Sequence, residues 1–558
     1  MILFYIMHLS IIIKRRAVVM TELKNGFLKK AFDKCLESFE KSIDPEVHKK
    51  AYIGEHREYH HFAESEFAGK YLDTCMNFYD LTHDESLLKK ADGLVDCIIE
   101  NQHADGYLGG YPKEDEWQKF SVWNQTFTVY GLLSYYKTTR RKAALNAAEK
   151  CAKNIAAHYL SEKDNIMDAF NDGTQNASFL LTLPGLYDVT DDVIYAEFTK
   201  YILRRLKTSG NNFFDFESIF DLRSKKGIEN FIILIGMLFY YDSSKDSECI
   251  KGAEKYWDEL RETQIRRPGN GTNAEKWIPE GNTPCFLPLD IHPNETCVSV
   301  GWAEFSLLLY KATGDIKYID AAERSLFNHI MGSFDDKNAD FAYYQPNFGK
   351  RVTRTSGQDP YKCCRYRGYN FISRLPELIF TEDENTVIPA IYAPAVWESN
   401  GVRIEEKTEY PFDGKISFFV TGASEKSLKL RIPSWCKKYS INVNGKESFA
   451  PESGGYVTLG IKDGDEVTLC LDMQLEKEDV NIDGKKYAGF SFGPLVMVPD
   501  SDINSDIYGA KDCGGKFVRN KDTKHNIEFD SGDLSLSDYA SAAKMNPDDE
   551  YTEWILCK

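Results

Sequence analysis

The sequence predicts a ring of six helical hairpins, an (α/α)6 toroid, followed by one or more β-sandwich domains. Two observations carry this reading. The pattern Tyr-x-x-Thr/Ser-x-Asp/Arg closes an apolar helical stretch five times, at Tyr79-Thr82-Asp84, Tyr136-Thr139-Arg141, Tyr187-Thr190-Asp192, Tyr241-Ser244-Asp246 and Tyr310-Thr313-Asp315, which marks an internal repeat. After about Phe380 the texture changes to short alternating runs set apart by turn residues, the signature of strands.

In chain order, the first segment, MILFYIMHLSIIIKRRAVVM, holds an apolar run of about thirteen residues broken by His8 and Ser10, with Lys14-Arg15-Arg16 after it. A bilayer span needs about twenty residues, and a secretory signal carries its charge before the run. Residues 1–20 therefore read as a disordered or misassigned leader, with Met20 as a plausible start and no stable membrane partner expected. Each repeat reads as a helix ending at the Tyr, a polar turn, and a second helix whose start is stabilised by the Thr/Ser and Asp. Successive tyrosines lie 57, 51, 54 and 69 residues apart, room for two helices and two loops. A sixth hairpin split between residues 22–45 and 366–380 would close the ring, with an open solenoid as the alternative. The longest gap carries PGNGTNAEKWIPEGNTPCFLPLD, a Gly/Pro/Asn-rich insertion of the kind that carries function. Beyond residue 380 come TVIPAIYAPAV, KISFFVTG, LKLRIPSW, YSINVNG, GYVTLGI and DEVTLCLDM, with turns at Asn444-Gly445 and Asp463-Gly464-Asp465. The expected domains are 21–384, helical and catalytic; 385–480, a β-sandwich; and 481–558, a further β-rich segment.

Composition narrows the partners. A net charge of −18 over 558 residues argues against nucleic acid and suits a neutral or weakly charged substrate. Thirteen scattered cysteines read as free thiols in a reducing, cytoplasmic setting. A homodimer is left open.

Two clusters could carry chemistry. Cys363-Cys364 directly precedes a predicted helix over 366–378, and Glu295-Thr-Cys297 opens one beginning near Asn294. A helix N-terminus stabilises thiolate, and one carboxylate with three thiolates satisfies a tetrahedral zinc ion. The bland alternative is that these are ordinary inert buried cysteines. His56, His60, His61, Glu64 and Glu66 are candidates for the cleft, and Trp117, Trp123 and Trp277 for sugar platforms or core packing.

The run NETCVSVGWAEFSLLLYKATGDIKYIDAAERSLFNHIMG, with CCRYRGYNFISRLPELIF downstream, strongly resembles the β-L-arabinofuranosidase family of cysteine glycosidases, glycoside hydrolase family 127. NQHADGYLGGYP, ESEFAGKYLDTC and FSFGPLVMVP add to the match, which extends from about residue 50 to 500. The resemblance implies a carbohydrate substrate, zinc on Glu295, Cys297, Cys363 and Cys364, and Cys363 as nucleophile in retaining hydrolysis. It implies a glutamate acid/base shortly before Glu295: Glu275 by its Gly-rich surroundings, or Glu280 by its spacing. The chain departs from the family where Phe127, Gln175 and Ile228 stand in place of sugar-binding histidines, which puts the sugar in doubt. Two other readings stay open: a toroid enzyme working with carboxylates or histidine alone, and a non-catalytic glycan-binding protein with structural zinc.

Overall fold

The computed structural model describes residues 20–53, 64–117, 120–168, 171–272, 274–279, 293–335, 340–351, 362–383, 385–422, 426–450, 454–482, 484–546 and 548–558. Inner helical segments 64–82, 121–139, 174–190, 227–244, 296–313 and 363–379 alternate with outer segments 85–100, 142–160, 193–208, 247–263, 316–333 and 27–42. Each inner segment packs on the next, and 363–373 packs against both 296–313 and 64–82, so the ring closes. The split hairpin is joined where Tyr369 meets Ser38 Oγ at 2.7 Å and the Phe39 ring edge-on. Inner helices such as 121–139 are buried nearly all round, as a helix ringed by others must be.

The repeated motif is a helix–turn–helix joint with one hydrogen-bond pattern. The first helix runs past the Tyr to the Thr/Ser: 82, 139, 190, 244 and 313. The next residue is left-handed, with φ of 53° at His83, 61° at Arg140, 55° at Asp191, 57° at Lys245 and 74° at Gly314. Its N–H donates to the Tyr carbonyl at 2.7–2.8 Å in all five copies, an αL cap. The Thr/Ser hydroxyl then accepts the N–H of the following Asp or Arg, at 3.1–3.3 Å. Asp84, Asp192, Asp246 and Asp315 each cap the second helix through the side chain; Arg141 cannot, and makes no cap bond. The Thr/Ser thus closes the first helix, and the Asp alone caps the second.

The sandwich has a seven-stranded sheet, in the order 20–23, 395–399, 402–408, 415–421, 466–471, 439–443, 446–450, and a four-stranded sheet, 455–460, 427–432, 386–389, 380–383. Residues 20–23, expected as the end of the leader and the start of the helical domain, pair antiparallel with 395–398. A third sheet is built from residues 475–557. Within it, strands 509–510 and 555–557 pair and bring Cys513 and Cys557 to a Cα separation of 5.9 Å as a disulfide. These two cysteines correct the expectation of free thiols throughout. Strand 550–552 leaves this module to pair with 348–350 of the helical domain, just before Cys363. Among the described residues no helix is long and apolar enough to cross a membrane.

Two inner helices cross at glycine. A Cβ on Gly69 would lie 1.9 Å from the Phe127 carbonyl oxygen, and one on Gly131 2.5 Å from that of Gly69. Gly69→Ala should therefore force 64–82 away from 121–139 and cost about 1–3 kcal/mol, the usual range for overpacking. Gly93→Ala on the outer helix meets only the Lys49 ammonium, at 3.5 Å, and should be neutral or gain about 0.5–1 kcal/mol. Thermal unfolding midpoints of the two variants check the contrast.

Candidate active site and metal centre

The cluster forms where two inner helices begin. Glu295 is the N-cap residue of 296–313, and Cys363 is the first residue of 363–373. Ligand atoms of Glu295, Cys297, Cys363 and Cys364 all lie within 4.8 Å of one another. Glu295 Oε1 is 3.8 Å from the sulfurs of both Cys363 and Cys364, which are 3.9 Å apart, and the Cys297 N–H donates to the Cys364 sulfur at 3.4 Å. Orphan N–H groups at a helix start are suited to such a charge. Cys297 and Cys364 are buried, whereas Cys363 is partly exposed.

The charge settles on one sulfur. Hydrogen bonds from Cys297 and Cys364 hold Cys363 well below the ordinary thiol range, with the Lys70 cation adding to them against burial. Burial drives Cys297 and Cys364 up. Burial also leads the upward shift of Glu295, followed by repulsion from Glu275 and Cys363. Its Oε2 is buried without a hydrogen-bond partner, an uncommon state for a native polar atom. Three sulfurs and one carboxylate oxygen in this arrangement could hold a soft or borderline metal ion.

Glu275 faces the cluster. Its carboxylate pairs with Lys226, accepts from the Tyr344 hydroxyl, and lies 3.1 Å from the Tyr343 hydroxyl, itself 3.4 Å from the Cys363 sulfur. One phenol thus spans sulfur and carboxylate. The Thr296 N–H and hydroxyl, donating to Tyr343 and Ala342 carbonyls at 3.0 and 2.7 Å, latch that tyrosine segment to the helix start. Asn294 ties the same corner together: it accepts from Arg266 at 2.6 Å and donates to the Gln345 carbonyl and Asn347 at 2.8 Å. Thr272, Ala274, Glu275 and Asn294 all have positive φ, a concentration of backbone strain of the kind found at functional sites.

Across the cleft, Glu66 pairs with Lys70 and accepts the Trp123 Nε1–H at 2.7 Å, all three being buried. Burial opposes the Lys70 charge, but Glu66 and then Cys363 and Cys297 outweigh it and hold its pKa above the ordinary value. Glu66 is raised, by burial first and the Cys363 charge as well.

The structure brings Glu275, Glu295, Cys297, Cys363 and Cys364 together, and Glu66 beside them. Glu280, His56, His60 and His61 lie outside the described residues. None of the three tryptophans is an open platform: Trp277 is buried and donates to Tyr256 at 2.9 Å, Trp117 stacks on His158 of an outer helix, and Trp123 serves Glu66. Phe127 is buried under the Lys70 ammonium, Gln175 donates to Glu229 at 3.0 Å, and Ile228 is buried. Lys70, Lys226, Tyr343 and Tyr344 escaped the sequence reading. The Glu66/Lys70 spacing of four was the one available signal, and it equally describes a solvated helix pair.

Comparison with known proteins agrees with the geometry. Residues 17–377 match the β-L-arabinofuranosidase GH127 catalytic domain, and 387–473 the GH127 middle domain. The chain belongs to the GH127 family. It is a glycosidase. A non-reducing end β-L-arabinofuranosidase of Bifidobacterium longum is 26% identical over 482 residues, 74% of this chain and 72% of that one. A GH127 β-L-arabinofuranosidase from Geobacillus stearothermophilus T6 superposes with a TM-score of 0.77 at 17% identity, covering 97% of this chain and 100% of the other. A second GH127 β-arabinofuranosidase gives 0.80 at 19%, covering 96% of each. At these identities the two structures speak for the fold.

The depressed Cys363 pKa sets a pH dependence. Its thiolate persists below the ordinary thiol range, so in metal-stripped protein iodoacetamide should label Cys363 at a pH below that range. Cys297 and Cys364 should stay unlabelled well above it. Peptide mapping after alkylation across pH 5–9 reads this directly.

Proposed function

We propose that the chain is a retaining β-L-arabinofuranosidase in which Cys363 is the nucleophile and Glu295, Cys297, Cys363 and Cys364 hold zinc. The observation carrying this reading is that, of the three sulfurs gathered with Glu295, Cys363 alone is partly exposed. The donor set fits zinc, which takes thiolate and carboxylate in four-coordinate sites, and the unpartnered Glu295 Oε2 marks a carboxylate that protein donors leave incomplete. When bound, zinc would supply positive charge that keeps the cluster deprotonated.

The chain's own groups do the rest. Cys363 attacks the anomeric carbon; the C–S bond forms as the C–O bond to the leaving group breaks, and that oxygen takes a proton from a carboxylic acid. Water then attacks the same carbon, its proton passes to the carboxylate, and the C–S bond breaks; two inversions give retention. Glu275, which shares the Tyr343 phenol with the sulfur at 3.1 and 3.4 Å, is the first candidate for the proton transfers. Glu280 is the second candidate. The sugar rests on the name of the Bifidobacterium relative and the family model. Phe127, Gln175 and Ile228 mean that its hydroxyls are held differently here.

Cys363→Ser should lower kcat on aryl β-L-arabinofuranoside by on the order of 10⁴ or more, the scale of losing a nucleophile; near-normal turnover would exclude the thiolate mechanism. Metal analysis should find one zinc per chain, lost in Cys297→Ser. Glu275→Gln and Glu280→Gln separate the acid/base candidates: the true one keeps activity only on activated leaving groups and is rescued by azide. A pyranoside turned over in preference to the furanoside would displace the sugar assignment.

A further inference from the structure

Away from the bore, a pocket of about 390 Å³ opens at the seam between the outer helix 316–325, the sandwich and the C-terminal sheet. Its walls include Arg324, Trp435, Lys438, Asp472, Glu476 and Ser491. Nothing in the glycosidase reading uses it.

The charges in this pocket do not balance. Arg324 donates through Nε to the Arg267 carbonyl at 2.8 Å and through Nη2 to Ser491 Oγ at 3.0 Å. Among the described residues no carboxylate lies within ion-pair distance of it; the neighbouring Arg267 takes Glu478, at 3.3 Å. Burial and then repulsion from Arg267 lower the Arg324 pKa to about 10, and the more distant Glu553 and Glu478 only partly oppose them. Of the remaining groups, Lys437 pairs with Glu476, and Asp472 accepts from Gln474 at 2.6 Å. Arg324 and Lys438 against Asp472 leave one positive charge. Trp435 is partly buried and its Nε1–H has no partner. Gly493, at φ 54°, lets the loop lie against it: a Cβ there would meet Met473 Cε at 2.5 Å and the indole at 3.4 Å.

We propose that this seam pocket is a second saccharide site, which takes an acidic sugar, a uronate unit of a glycan. Arg324 meets the carboxylate through the terminal N–H groups it does not give to Arg267 and Ser491, the Trp435 wall takes an apolar sugar face, and Asp472 accepts a hydroxyl. Apolar walls with a few convergent polar groups are the general make-up of small-ligand sites. The proposal does not depend on the role given to Cys363.

Calorimetric titration of the intact protein with trigalacturonate tests it, with neutral galactotriose and free glutarate as comparisons. Trigalacturonate should bind at least tenfold more tightly than either. Arg324→Gln and Trp435→Ala should each weaken it at least tenfold while aryl furanoside turnover stays within about twofold. Lys438 is exposed, so Lys438→Glu reverses the pocket charge without disturbing the fold and should weaken binding as well. No binding of trigalacturonate overturns the site. Equal binding of galactotriose or glutarate overturns its class. Binding unchanged by all three substitutions places the ligand elsewhere and overturns the proposal.

Discussion

A carboxylate and three thiols within 4.8 Å form a set of groups that cannot all carry charge without a compensating cation, and the surroundings supply positive charge from several sides. Two helix starts point N–H groups at the cluster. Lys70 and Lys226 flank it from different inner helices, each with its own carboxylate, Glu66 or Glu275. Each cation is kept charged in part by the opposing acids, so the site is one coupled electrostatic unit. No single helix could assemble it, because Lys70, Lys226, Cys297 and Cys363 come from four different inner segments or their leading turns.

Ring closure is therefore a precondition of the chemistry. The glycine crossing of 64–82 and 121–139 brings Lys70 and Trp123 to the same wall, while the corner around Asn294 binds three stretches of chain by side-chain hydrogen bonds. The C-terminal module reaches back to this corner. Strand 550–552 pairs with 348–350, and Arg351 donates to carbonyls at Ala542 and Gly332 at 2.7 and 2.9 Å. A β-module far along the chain thus braces the segment that presents Tyr343 to Cys363. The sandwich is held separately, by Arg431, buried and paired with Asp320 and Glu323 on an outer helix.

The repeat was legible because each joint solves the same local problem. A helix must end, the chain must turn through one left-handed residue, and a new helix must be capped, all within six residues of chemistry. The helix end was read three residues early because the Tyr carbonyl accepts the cap bond and the Thr/Ser still lies within the helix. The pairing of 20–23 with 395–398 and the Cys513–Cys557 bridge left no comparable trace, since their partners are hundreds of residues away or one pair among many.

By itself the sequence determined the repeating hairpins, the change to strands near residue 380, and the four donors at two helix starts. Those features are local: periodicity, turn chemistry and adjacent residue types suffice to state them. Only the tertiary structure decided that Cys363 is the open sulfur of three, that Tyr343 spans it and Glu275, and that Lys70 and Lys226 stand on either side. Which thiol carries charge depends on relative burial and on groups brought from other helices, and no spacing along one chain encodes that.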